Sequence, residues 1–287
     1  MPELPEVETI RRGLQRWVIG KKIAKVEVRQ PKLVRNPLPE FNRYLTGNEI
    51  IAVDRKGKLL FLELKNHNVW LIIHLKMTGQ LVFVSAREKI AGGHEFPPTS
   101  EQLPNKYSHI IFTFQDNSHL FFNDLRRFGY LKVVSRDEKE ATLASLGIDP
   151  LGPEYNLDKF RSIFKNKKKA LKALLLDQTI LAGLGNIYAD EVCFAAGIHP
   201  DRLADKLTSQ DLEKLYRSIR AIMHQAVKAG GTTFRNYRNA EGQKGNFVKQ
   251  LAVYQRSKLV CRRCQKGIIV KTRLIGRGTH FCPICQK

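Results

Sequence analysis

Apolar residues recur along this chain with two different spacings, and the change from one to the other divides it. Val7, Ile10, Leu14, Trp17 and Val18 follow one face of a helix near the start. Pro5 suits the first helical position there, and Glu6 and Glu8 suit the positive end of the helix dipole. Short β-rich runs come next, at residues 23–28, 50–53, 59–64, 69–75, 81–84, 110–114, 120–122 and 130–134. Turn residues separate them, among them Lys56-Gly57, Asn66-His67-Asn68 and Gln115-Asp116-Asn117. Many short strands between turn signals predict a β-sandwich. Residues 85–106 bear Gly and Pro and read as a long mobile surface connection.

The pattern changes over residues 135–153, a charged stretch ending in Asp149-Pro150-Leu151-Gly152-Pro153 that reads as a linker. Helical spacing follows. Thr208 is placed to cap a helix in which Leu212, Leu215, Ile219, Ile222, Met223, Ala226 and Val227 form one apolar face, and Gly230-Gly231 ends it. That stripe predicts core, not a cofactor site. A chain of 287 residues has room for about two domains, each with its own core.

Charge narrows the range of partners. Lys and Arg number 49 against 27 acids, a formal net charge of +22. Such an excess suits a polyanion, because Lys and Arg displace the counterions condensed on a phosphate backbone. A generally solvated basic surface gives the same count, and an anionic membrane is a further candidate. The sequence has no apolar run near 18 residues and no signal-peptide pattern at its acidic, proline-bearing start. The expectation is a soluble, cytoplasmic protein.

Five cysteines do not suit a disulfide framework in a reducing compartment. Four form two C-x-x-C pairs, Cys261 with Cys264 and Cys282 with Cys285, separated by 17 residues. Four thiolates close the tetrahedron of one structural zinc ion. A redox C-x-x-C lacks its βαβ context here. Between the pairs, residues 267–281 carry β-branched residues and Gly276-Arg277-Gly278, which predicts a hairpin with Arg277 at its tip. Cys193 stands alone in an apolar helix and reads as a buried thiol.

The first residues suggest chemistry. Removal of Met1 would leave Pro2 with a free secondary α-amine. An α-amine titrates near pKa ~8, against ~10.4 for lysine, so far more of it is neutral at pH 7. Such an amine forms an iminium with a carbonyl-like carbon. Glu3 and Glu6 lie close by in the chain for proton transfer. A plain helix start explains Pro5, Glu8 and the apolar stripe equally well, but not Pro2-Glu3.

Other motifs are weaker on their own. Gly183-Leu184-Gly185-Asn186 lies between two helical runs, where glycines permit a tight turn and a helix N-terminus accepts phosphate. An ordinary helix–helix turn reads the same way. Residues 167–172 hold four lysines, and Arg55-Lys56-Gly57-Lys58 is a basic turn; both also suit solvated surface. His74, in a strand, is by itself most simply structural.

Taken together, these stretches resemble one family. Met1-Pro2-Glu3-Leu4-Pro5-Glu6-Val7-Glu8 and its continuation to Leu14 are similar to the opening of the formamidopyrimidine-DNA glycosylases. Those enzymes excise oxidised purines and cut the DNA strand. The Gly183–Asn186 turn, Ala196-Gly197-Ile198-His199-Pro200 and the paired cysteines extend the match to the last residue.

The resemblance implies an α+β multidomain fold. Residues 1–134 would form an N-terminal catalytic β-sandwich with an N-terminal helix, and 135–152 a linker. Residues 153–230 would form a helix–two-turns–helix DNA-binding domain, 231–257 a lesion-recognition loop and connection, and 258–287 a zinc-bound β-hairpin. Double-stranded DNA with oxidised bases would lie in a basic groove between the domains. A monomer is expected, nucleoid-associated when bound, with one structural zinc and neither an organic cofactor nor a catalytic metal.

By the same resemblance Pro2 attacks the sugar and Glu3 is the general acid/base. Glu6 belongs to the catalytic set, with Lys58 and Arg277 as cationic assistants. His74, Lys168 and Asn186 contact DNA near the damage or its phosphates. Met77, Arg126 and Phe128 match the residues that fill the hole left by the flipped base, and Arg127 contacts DNA beside them. A lid over that base is expected within residues 230–250, where Gly242 and Gly245 bracket Gln243 and Lys244.

Two departures stand out. Leu125 replaces the family's proline in Asp124-Leu125-Arg126-Arg127-Phe128-Gly129, and Tyr107 falls where a phosphate-binding histidine is usual, with His109 as a possible substitute. Two alternatives remain. The related endonuclease-eight type acts on oxidised pyrimidines, but it usually has Gly where Leu4 stands. A non-catalytic zinc-ribbon DNA-binding protein would explain the charge and cysteines but not Pro2-Glu3.

Overall fold

The computed structural model describes residues 1–86, 89–94, 102–232, 237–238 and 246–287. The expected lid residues 241–245 lie outside them. The chain forms two compact units. One comprises Met1–Ala144 with Ala229–Val248, the other Ser145–Lys228 with Lys249–Lys287.

The first unit opens with helix α1, Leu4–Trp17, with Pro5 in its first turn. Strand β1 (Ile23–Val28) and helix α2 (Leu38–Leu45) follow. Strands β2 (Ile50–Lys56), β3 (Leu59–Leu64), β4 (Val69–His74), β5 (Gly79–Val84), β6 (Lys89–His94), β7 (Ser108–Phe114), β8 (His119–Asp124) and β9 (Tyr130–Ser135) come next. Helix α3 is Arg136–Ser145, and a two-residue strand β10, Tyr237–Arg238, adds to β6. One sheet has the order β1-β7-β8-β5-β6-β10, the other β2-β3-β4-β9.

Alternation along the strands builds the sandwich. Leu60, Leu62 and Leu64 of β3 share one buried cluster with Ile110, Phe112 and Phe114 of β7, and α1 adds Val7, Ile10 and Leu14. Ile111 points the other way, into a second cluster with Val82, Ala91 and Phe121. Two covered faces explain why β7 and β8 read as nearly continuous apolar runs.

Three elements differ from the sequence expectation. Residues 85–106 contain β6, which pairs with β5. Its Ala91-Gly92-Gly93 segment hides the strand signal, yet small residues are needed there. Gly93 has φ +118, and a Cβ on it would lie 2.6 Å from the Gly79 carbonyl oxygen. The expected linker carries α3, whose ten residues include none that is buried, so it has no apolar stripe to read. Helix α2 also escaped the pattern. It is short, has Pro37 as its N-cap and Pro39 in its first turn, and buries only Phe41 and Leu45.

A buried carboxylate fastens α1 to the sheet. Glu8 meets Arg11 and Arg12 at 2.8 Å each and Arg55 of β2 at 3.1 Å. Burial alone would raise this carboxyl, but the arginine hydrogen bonds and charges pull it from 4.5 to about 2. A depressed carboxylate contributes stability above its unfolded pKa, and that contribution is lost as pH falls through the folded one. Glu8→Gln should therefore flatten the fall in urea midpoint between pH 4.5 and about 2. An unchanged slope would show that other carboxylates dominate.

The second unit is helical: α4 (Leu157–Phe164), α5 (Leu171–Leu176), α6 (Asn186–Ala196) and α7 (Ser209–Lys228). Leu215, Ile219, Ile222, Met223, Ala226 and Val227 are the buried residues of α7. Strands β11 (Val270–Leu274) and β12 (Arg277–Phe281) form an antiparallel hairpin. Among the described residues, no helix is long and apolar enough to cross a membrane.

Candidate functional site

The amino-terminal head is tied down from both sides. Pro2 is buried, and Glu3, the N-cap of α1, is only 3% exposed. Glu6 Oε2 accepts from the Glu3 N–H at 2.8 Å. Its Oε1 accepts from the Thr232 N–H at 2.8 Å and the Thr232 hydroxyl at 3.1 Å. Gly231 (φ +84) makes room for this, since a Cβ there would lie 2.7 Å from Glu6 Oε1. Glu6 thus anchors the head of the helix to a segment more than two hundred residues away. The sequence marks Gly231 only as a helix end, and no local spacing singles out Thr232.

Lys58 leaves the β2–β3 turn behind Gly57 (φ +57) and is 8% exposed. Arg55 Nη1 donates to the Gly57 carbonyl at 3.0 Å and holds the turn. Near it, His74 Nδ1 accepts from the Lys76 N–H at 3.0 Å, so the ring proton sits on Nε2. Burial, then the charges of Lys76 and Lys58, lower His74 from 6.5 to about 3. The ring is a neutral donor at physiological pH, able to offer one N–H to a phosphate oxygen.

Two loops carry the expected wedge residues. Met77 is 38% and Phe128 50% exposed. The Arg126 guanidinium lies over the Phe128 ring, 4.7 Å from its centroid. Arg127, also exposed, has φ +56. Tyr107 is half-buried beneath Lys106, whose ammonium lies 5.2 Å from the ring centroid. His109 differs from the expectation. It is 4% exposed, and its Nε2 donates to the Asp124 carbonyl at 2.8 Å, so it serves the fold and does not face solvent.

In the second unit the four lysines of residues 167–172 part company. Lys168 is exposed in the segment before α5. Lys172 is wholly buried and donates to Asp190 Oδ1 at 2.6 Å, the Thr279 hydroxyl at 2.9 Å and the Gly278 carbonyl at 3.0 Å. Asp190 Oδ2 accepts from the His280 N–H at 2.9 Å and lies 3.0 Å from its Nδ1. Asn186, the first residue of α6, donates its amide to the Gly278 carbonyl at 2.9 Å. Helices α5 and α6 therefore hold β12 from Gly278 to His280, directly behind the hairpin tip. Arg277 opens β12 opposite Leu274, just past a tip made by Ile275 (φ +46) and Gly276 (φ +73), and is exposed. The Lys172–Asp190 pair was invisible in the sequence because its third member is 107 residues away.

The four paired cysteines converge. All four Sγ atoms lie within 4.8 Å of one another. Cys261 to Cys285 and Cys264 to Cys282 are each 3.8 Å. A tetrahedron with metal–sulfur bonds of about 2.3 Å has edges of roughly 3.8 Å, so the cluster fits zinc. Backbone N–H groups of Gly267 and Lys266 draw the Cys264 thiol from 9.0 to about 6. Burial and the neighbouring sulfurs push Cys285 up to about 12. Four thiolates cannot share this space without a cation to offset their repulsion. Cys193 is fully buried, and burial pushes its thiol up, as an inert core residue requires.

Comparison with known proteins places this geometry. Residues 1–131 match the formamidopyrimidine-DNA glycosylase N-terminal domain, and residues 146–238 the H2TH domain of the same enzymes. The chain is 42% identical to the formamidopyrimidine-DNA glycosylase of Heliobacterium modesticaldum and 40% identical to that of Listeria innocua, covering all of both. Among solved structures it is similar to Lactococcus lactis Fpg in complex with abasic-site DNA, with TM-score 0.88, 34% identity and 99% of each chain covered. A mutant of that enzyme with Fapy-dG-containing DNA matches with the same score and identity over both whole chains. By these matches along its whole length, the chain belongs to the formamidopyrimidine-DNA glycosylase family.

Proposed function

We propose that this DNA glycosylase removes formamidopyrimidines and 8-oxoguanine paired with cytosine, and then cleaves the strand by β,δ-elimination. The target nucleotide is flipped from the stack, because its anomeric carbon is otherwise out of reach. After Met1 is removed, the Pro2 nitrogen attacks that carbon and the base departs with the glycosidic electron pair. Glu3 manages the protons of base departure and ring opening. The resulting iminium acidifies the adjacent sugar carbon, and loss of a proton there expels the 3′ phosphate; the new double bond extends the conjugation, so a second proton is lost from the next sugar carbon and the 5′ phosphate leaves with its electron pair. Lys58 and Arg277 offset the growing negative charge. The observation that supports this most directly is the immobilised head of α1, where buried Glu6 fixes Glu3 through one oxygen and Thr232 through the other.

Met77 and Phe128 fill the hole, and Arg126 reads the base left behind. Guanidinium only donates hydrogen bonds. Cytosine offers it two acceptors, whereas adenine sets one acceptor beside a competing donor. Single-turnover excision should therefore be faster for 8-oxoguanine opposite cytosine than opposite adenine, and faster for either than for an oxidised pyrimidine. Arg126→Ala should remove roughly 1–3 kcal/mol of the cytosine preference. Arg127→Ala should weaken binding to both duplexes alike. Preference for an oxidised pyrimidine would move the protein to the endonuclease-eight type, and an unchanged ratio in Arg126→Ala would remove Arg126 from the role.

A further inference from the structure

Two loops cross from one sheet of the sandwich to the other side by side. One runs from His74 at the end of β4 to Gly79 at the start of β5, the other from Asp124 at the end of β8 to Tyr130 at the start of β9. Their ends are partners in the ladders, Gly79 with Asp124 and His74 with Tyr130. Between these ends the backbone is strained at two non-glycine residues, Lys76 (φ +50) and Arg127 (φ +56).

One buried carboxylate joins the loops. Asp124 is 0% exposed. Its Oδ1 accepts from the Thr78 hydroxyl of the first loop and from the Arg126 N–H of the second at 3.1 Å. Its Oδ2 accepts from the Gly129 N–H at 2.7 Å. The Thr78 oxygen in turn accepts from the Arg126 N–H at 2.9 Å. Glycine is required at both ends. A Cβ on Gly79 would meet the Leu75 carbonyl oxygen at 2.4 Å, and one on Gly129 the His74 carbonyl oxygen at 3.0 Å. A buried carboxylate left with fewer donors is costly, so its bonds resist independent movement of either loop.

We propose that Asp124 and Thr78 are positioning residues that make the Met77 loop and the Arg126–Phe128 loop one rigid unit, inserted into DNA in a single event. This rests on the reading that these loops enter the duplex. A double-mutant cycle tests it, with single-turnover excision of 8-oxoguanine opposite cytosine as the readout. In the native background, Met77→Ala and Phe128→Ala should each slow excision on the order of tenfold, and the double variant hardly more than either. With Thr78→Val, which keeps the shape but loses the hydroxyl, the two losses should multiply. Thr78→Ser should restore the native behaviour. Losses that already multiply in the native background, or that stay non-additive with Thr78→Val, overturn the coupling. Should the unaltered protein fail to excise the lesion, the functional reading fails, and amide exchange on the free protein still judges the coupling. Thr78→Val must then speed exchange at both Gly79 and Gly129, and acceleration confined to one loop overturns it.

Discussion

Borohydride added during turnover on an 8-oxoguanine duplex is expected to leave a covalent complex joined through residue 2. One serine inserted between Met1 and Pro2 is expected to abolish it. Reduction captures only an iminium, and an iminium needs an amine with a free electron pair. Pro2 has one after Met1 is removed; in the insertion variant its nitrogen is part of a peptide bond and has none. Met1 is 47% exposed, so an added residue there leaves the Glu6–Thr232 anchor in place. Removing a nucleophile that acts with a general base costs on the order of 10⁴-fold or more. Excision and strand cleavage should fall together by that scale while DNA binding persists. Trapping at a lysine, with Lys58 the nearest rival by role, would overturn the assignment, as would full activity in the insertion variant.

Removal of zinc should have the largest effect outside the head of α1. The hairpin module has little core of its own: the buried cluster beneath it is Phe194, Val253, Cys261, Ile269 and Cys282, so two of the four clustered cysteines form much of its interior. Ile268, Val270, Ile275 and Ile284 are left on its surface. A structural zinc supplies apparent folding energy on the order of 10 kcal/mol to such a module. Cys264→Ser should therefore disorder β11 and β12, release Arg277, and weaken DNA binding by at least about tenfold. Amide exchange in residues 270–281 should rise while the sandwich stays protected. Purified protein without zinc, or native affinity in the Ser variant, would refute this.

Leu125 need not disturb the loop it occupies. The hydrogen bonds that close that loop join Thr78 and Asp124 to the N–H groups of Arg126 and Gly129. A proline at 125 would offer no N–H, and leucine fits the same scheme with its side chain 40% exposed.

Several features are legible in the amino-acid order itself, because their causes lie within a few residues. Helices α1 and α7 declare themselves by apolar spacing, most strands by β-branched runs between turns, and the thiolate cluster by two C-x-x-C pairs. Each is a short-range pattern, imposed by a helical period or by the span of one metal ion. What the sequence could not express were contacts that compensate a buried charge from far along the chain. Glu6 with Thr232, Asp124 with Thr78, and Lys172 with Asp190 and Thr279 are of this kind. In the sequence nothing marks any of these residues as the partner of another. Only the fold removes them from water, and once they are buried each must find its partner wherever the chain returns. The same holds for Gly93, which reads as a strand breaker until β5 lies 2.6 Å from where its side chain would begin. Local chemistry is written in neighbouring residues; burial is a property of the whole chain, and the tertiary structure alone decides which charges and which glycines it makes indispensable.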